Sequence, residues 1–210
     1  MTAMNDLKQI GYALHNYRDT YGRFPPPAIY SKDGEPLLSW RVAILPFLEQ
    51  DNLFREFHLD ESWDSPHNQI LLAQMPMVYE HRGDAETEPY STMFQVFVGK
   101  GTVFEGTQGI KSSQITNGAS NTIMVIEAGE AVPWTKPADL AYDPNQLIPA
   151  LGGMFKERFR FSSLSFEGSK DILAVFADGS VHQIKKTISE RNLRHLIIRN
   201  DGETPDSNDF

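Results

Sequence analysis

One run limits the fold more than any other. Residues 5–27, NDLKQIGYALHNYRDTYGRFPPP, place Leu7, Ile10, Leu14, Tyr17 and Tyr21 at spacings of 3, 4, 3 and 4, which is one face of an α-helix. Lys8, Gln9, Asn16 and Asp19 fall off that stripe. Gly22 is suited to close the helix in a left-handed conformation, and Pro25, Pro26 and Pro27 keep it from resuming. A helix over 4–21 is about 27 Å long and needs an extended apolar surface beneath it. Its start is weakly signalled: only Thr2 or Asn5 suits an N-cap, so residues 1–3 read as foreign to the helix and the helix from residue 4 as the cut end of a longer one. Leu14, Tyr17 and Tyr21 are expected to pack as core. Leu7 and Ile10, with Met4, are expected to be partly exposed, as an apolar face for partner helices.

The remainder of the chain is helical at first and β-rich later. After a loop with a turn at Lys32-Asp33-Gly34, SWRVAILPFLEQ predicts a short helix capped by Ser39 and strained at Pro46. DNLFREFHL predicts a second, capped by Asp51; WDSPHNQILLAQMP predicts a third, capped by Asp64 or Ser65, with Pro66 in its first turn. Beyond residue 88, YSTMFQVFVG and NTIMVIEAG read as strands, and DILAVFADGSVHQIKK as a hairpin with a two-residue Asp178-Gly179 turn. SERNLRHLIIRNDG closes with a helix capped by Ser189 and stopped near Gly202, and 131–170 reads as long ordered loops. Helices first and strands later predict an α+β fold, its long first helix packed on an antiparallel sheet. The expected organisation is one head domain over 1–203 and an acidic tail over 204–210.

Composition narrows the function. Lys plus Arg number 19 against 28 Asp plus Glu, a net charge of -9, which repels phosphate backbones and argues against nucleic acid as a partner. There is no cysteine, hence no disulfide framework or thiol nucleophile, and no apolar run long enough for a membrane span.

Several ordered blocks carry a resemblance. NDLKQIGYALHNYRDTYGRFPP, LLSWRVAILPFLEQ, WDSPHN, NGASNTIMVIEAGEAVPWTKPADL and FADGSV resemble, in order, a large bacterial family known as domain of unknown function 1559. That family is solute-binding-protein-10-like by label and abundant in planctomycetes, and many members carry a prepilin-type N-terminal segment. The helix ending in YRDTYGRFP is similar to the close of the first helix in type IV pilins and type II secretion pseudopilins. The resemblance implies a pilin-like, non-enzymatic, extracytoplasmic headpiece with a structural or assembly role. It implies a membrane anchor upstream and pilin-like partners meeting through the N-terminal helix, with Leu7, Ile10 and Leu14 as the packing face. The chain departs from its relatives at Gly168, where many have His, at Asn117-Gly118, where Asp-Gly is usual, in a longer 157–171 stretch, and in lacking their cysteines.

Other chemistry is thinly signalled. His58, Asp60, Asp64 and His67 are close in sequence but lack zinc-site spacing, and they read as surface residues around a helix cap. No cofactor or metal is predicted. By analogy with pseudopilins, calcium is the cation to consider, with Glu127, Glu130, Asp139 and Asp178 as oxygen donors. NGASNT fails the GxSxG pattern around Ser120, and Phe104 spoils the glycine pattern begun by Gly99 and Gly101. A Glu127–Glu130 carboxylate pair is the remaining hydrolase signal. The alternative to a structural role is a ligand-binding module for glycans or small solutes, with Trp40, Trp63 and Trp134 as a stacking platform. Packing beneath the long loops is the more ordinary use of those indoles.

Overall fold

The computed structural model describes residues 2–80, 87–153 and 171–203. The expected tail over 204–210, Gly168 and nearly all of the longer 157–171 stretch lie outside the described residues.

Helix α1 spans Ala3–Tyr21. Thr2, in extended conformation, accepts a hydrogen bond from the Asn5 amide, and Asp6 adds a negative charge to the first turn. Gly22 takes φ 75° and donates its N–H to the Arg18 carbonyl, so the glycine ends the helix before the prolines are reached. The inner face is Leu7, Ile10, Ala13 and Leu14, all at 0% exposure. Gly11 belongs to it: a Cβ there would stand 3.1 Å from Val175 Cγ1, so its smallness lets helix and sheet approach. The carboxyl end fits less tightly. Tyr21 is exposed, not core, and leans on Tyr17 at 4.5 Å between ring centroids.

A small hairpin comes next, β1 (Ala28–Tyr30) with β2 (Pro36–Ser39), around a turn in which Ser31 Oγ accepts from the Asp33 and Glu35 amides. Helix α2 (Trp40–Ala43) is capped by Ser39 as expected, and a 3-10 turn at Leu45–Leu48 absorbs Pro46. Helix α3 (Asp51–Glu56) carries Asp51 inside its first turn, with Gln50 as N-cap, which corrects the expected cap. Helix α4 (Asn68–Leu71) is only four residues long, and Ser65 Oγ accepts from the Asn68 amide.

The main sheet is antiparallel, in the order β3 (Ser91–Gln95), β5 (Ile123–Pro133), β7 (Ile172–Phe176) and β8 (Val181–Ile184). Strand β4 (Phe97–Val98) pairs in parallel with β6 (Leu140–Ala141), which shows order inside a stretch read as loop. Period-two alternation divides β7 between two cores. Leu173 and Val175 join the α1 side, while Ile172, Ala174 and Phe176 pack with Leu193, Leu196 and Ile197 of α5 (Glu190–Ile197). Helix α5 is capped by Ser189 and ends at Ile197, short of the expected stop near Gly202. The β7–β8 turn has three residues, not two: the Phe176 amide bonds the Ser180 carbonyl, and Gly179 supplies a φ of 89°.

Candidate functional site

Leu7, Ile10 and Leu14 are fully buried, so the expected partial exposure of Leu7 and Ile10 is corrected. The reason is the ceiling above them. Helix α1 is gripped by β7 on one side and by the 3-10 turns Leu45–Leu48 and Met77–Tyr79 on another. Met4 is half-buried, and what α1 presents outward is Lys8, Gln9, Asn16, Asp19 and Tyr12, the last 67% exposed. Any neighbour in this orientation meets a polar face with the Tyr12 ring in its middle and the exposed Tyr21 at its carboxyl end.

The three indoles do not form a surface platform. Trp40 and Trp134 have 0% exposure, and Trp63 is half-buried under the Lys136 ammonium, 5.4 Å from its ring. Trp134 donates to the Leu72 carbonyl at 2.9 Å and packs between Phe57 and Tyr79, pinning its loop to the helical half. Trp40 donates to Asp139 Oδ1 at 3.3 Å. This is the ordinary placement of Trp: apolar body inside, N–H satisfied.

Among the described residues, Asp139 belongs to the most deeply buried charge pair and not to a cation site. Its Oδ1 lies 2.7 Å from Arg41 Nη2, with side-chain exposures of 2% and 0%. The Val96 amide also donates to Asp139, while Arg41 donates twice to the Phe94 carbonyl and once to Ser39 Oγ. Burial pushes the Asp139 carboxyl up, against the pull of Arg41, the Val96 amide and the Trp40 indole. The pair ties α2, β3 and the 134–139 loop together; the Tyr79 hydroxyl, itself pushed far up by burial, donates to the Arg41 carbonyl.

The remaining oxygen donors differ in setting. Glu127 is buried on β5, Glu130 is exposed on the same strand, and Asp178 accepts from Ser180 in the β7–β8 turn. Among the described residues, no three His, Asp or Glu side chains are grouped to hold a metal ion.

The His58–His67 segment is organised by a residue that the sequence did not single out. Asn68 is fully buried: its Oδ1 accepts from the His58 amide and its Nδ2 faces the carbonyls of His58, Glu61 and Ser62. The two imidazoles stack at 3.5 Å between centroids; His58 Nδ1 meets Glu61 at 2.9 Å and His67 Nε2 donates to the Glu56 carbonyl at 2.7 Å. Ser65 and His58 hold the Glu61 carboxyl below its ordinary range. Asp64 accepts from Ser62 Oγ.

A cleft of about 410 Å³ opens elsewhere, between the carboxyl end of α1, the β1–β2 hairpin and residues 107–108. Its lining includes the rings of Tyr17 and Tyr30, apolar Ile29 and Pro26, and polar Lys32 and Gln108. Burial pushes both tyrosine hydroxyls up, helped at Tyr17 by Tyr21 and at Tyr30 by the negative charge of Asp139. The walls are tied together. Arg23 donates to the Gln108 carbonyl at 3.0 Å, the Phe24 amide to the Ile110 carbonyl at 2.9 Å, and the Trp40 amide to the Pro27 carbonyl at 3.1 Å. Gly109 permits this closeness: its φ is 67°, and a Cβ there would fall 2.0 Å from the Phe24 carbonyl oxygen. Tyr30 and Lys32 were legible only as loop residues flanking a turn, so nothing in sequence joined them to Gln108.

Residues 1–101 match the sequence model of a family described as a protein of unknown function, DUF1559 (SBP_bac_10). This is the family that the ordered blocks resemble; the match covers the blocks up to WDSPHN, and the NGASNT and FADGSV blocks lie beyond it. No curated protein and no solved structure matches the chain.

Proposed function

Starting from a chain whose first 101 residues carry the DUF1559 pattern, we propose that it is a non-enzymatic, extracytoplasmic headpiece of pilin or pseudopilin type. Its role is structural, in an assembly with other pilin-like subunits. The observation that carries this reading is the seating of α1, a 19-residue helix laid on an antiparallel sheet with its amino end at the surface. A rod held in this way transmits load between whatever adjoins its amino end and the β-rich head. Contacts with other subunits would use the polar outer face around Lys8 and Tyr12, because Leu7, Ile10 and Leu14 are taken up by the core. Asp139 is taken up by Arg41 and Asp178 by its turn, which suits a structural use of both carboxylates.

Lys8→Cys tests the reading in the full-length gene product expressed in its own host, with the unsubstituted protein as the control, since these 210 residues hold no cysteine. The expected result is recovery with the cell envelope, labelling by a membrane-impermeant thiol reagent, and disulfide or bismaleimide cross-links to neighbouring subunits. Recovery as an unlabelled cytoplasmic monomer overturns it.

A further inference from the structure

We infer that the cleft between α1 and the β1–β2 hairpin is a binding site for an acidic saccharide, one or two uronate-type rings long. Such a site is independent of the assembly role proposed above. Volume comes first: about 410 Å³ falls within the roughly 300–1,000 Å³ of small-ligand sites. The lining comes second. Two tyrosines with Ile29 and Pro26 give the lining its apolar matter, and the same lining carries the phenol, hydroxyl and amide groups of Tyr17, Tyr30, Thr107 and Gln108. A pyranose ring matches that pattern, with apolar C–H faces and an equatorial fringe of hydroxyls.

Charge selects among sugars. Lys32 is the only ionisable side chain of formal charge on the cleft wall, and it makes no ion pair among the described residues. Arg18, Arg41, Arg55, Arg194 and Arg199 all pair with a carboxylate. In a chain of net charge -9, the Lys32 ammonium on a cleft that no Asp or Glu lines gives an anion a local attraction, set against the negative charge of Asp139 felt at Tyr30. The same wall is fixed before any ligand arrives, because Ser31 holds the hairpin turn and Arg23 holds Gln108. Preorganisation of this kind lowers the ordering cost of binding.

The test is titration of the ¹⁵N-labelled protein with digalacturonate, with cellobiose as the neutral comparison and a short acidic peptide as the non-sugar comparison. Saturable shifts are expected at the amides of residues 28–32 and 107–109. Lys32→Met, an exposed position that leaves the fold intact, is expected to weaken binding by about threefold to fivefold and to remove most of its salt dependence. Tyr30→Ala is expected to weaken it by about tenfold, with unchanged circular dichroism as the control. The inference is overturned by absence of saturable shifts at the cleft, by equal binding of cellobiose, by preference for the peptide, or by a Lys32→Met variant that binds like the wild type.

Discussion

Asn68 offers the sharpest test of how the helical half is held. The side chain is fully buried, and it satisfies one amide and faces three carbonyls of the 58–62 backbone at distances between 2.9 and 3.2 Å. Asn68→Ala leaves those four backbone groups without their partner. Each hydrogen bond contributes about 1 kcal/mol net, and water entering the opened loop returns part of it, so the expected loss is about 2–4 kcal/mol. Against a total stability of roughly 5–15 kcal/mol this is a large fraction. With a urea m-value near 2 kcal/mol/M, the midpoint should fall by about 1–2 M. Asn68→Asp separates hydrogen bonding from shape. It keeps the acceptor for the His58 amide but turns a charged oxygen towards three carbonyls, so it should be worse than alanine at pH 7. The carboxyl is then easier to protonate in the folded chain than in the unfolded one. Stability of that variant should therefore fall as pH rises from about 4 and recover on acidification, when the acid can donate again. Urea melts of the three proteins at pH 4 and pH 7 read both effects. If the two variants lose less than about 0.5 kcal/mol, or if aspartate shows no recovery at low pH, the proposed hydrogen-bond hub is wrong.

Asp139→Ala strands the fully buried Arg41 guanidinium and should cost about 3–5 kcal/mol by urea melting; Arg41→Met in the same background should recover part of that, because the stranded charge is gone. Asn117→Asp should destabilise by about 1–2 kcal/mol, since Asn117 Nδ2 donates to Asp201 at 2.5 Å and a carboxylate there repels it. In the wild type Asp201 is held below the ordinary carboxylate range although burial pushes it up, because His195, the Glu203 amide and Asn117 outweigh that push; in the variant a second carboxyl faces it and is the easier one to protonate, so the defect should shrink as pH falls through the carboxylate range. His15 sits with Nε2 buried and no hydrogen-bond partner among the described residues, and burial, then Arg18, lower its pKa from 6.5 against Asp19 and Asp178. Its folded form disfavours the proton, so stability should fall as pH drops below 6.5, and His15→Gln should flatten that slope in melts between pH 5 and 7.

The fold was readable wherever one residue type fixes a local conformation. The 3, 4, 3, 4 stripe and Gly22 set α1, Ser39 and Ser189 cap their helices, and the uninterrupted apolar run of 172–177 before Asp178-Gly179 identifies β7. Where tertiary contact decides, the residues gave less. Tyr21 fits the stripe by period yet is exposed, and Leu7 joins the core cluster at 0% exposure although it lies near the amino end of the helix, which no helical pattern reveals. Strand β6 is two residues long and exists because β4 pairs with it, not through any propensity of Leu140 and Ala141. The site was least legible. Trp40 and Trp134 carry an aromatic signal equally suited to a platform or a core, and only burial distinguishes the two. Tyr17, Tyr30, Lys32 and Gln108 meet across 91 residues of chain, a juxtaposition made by Gly109 and the Arg23 contact.

Native-state hydrogen exchange of the α1 amides bears most directly on the claim that the first helix is an integral member of the head. The account predicts that Ile10, Gly11 and Leu14 exchange only with global unfolding, at the same free energy as the central amides of β5 and β7. Exchange of those helix amides several kcal/mol more easily than the sheet, at a denaturant-independent rate, would mean that α1 detaches on its own and would contradict it.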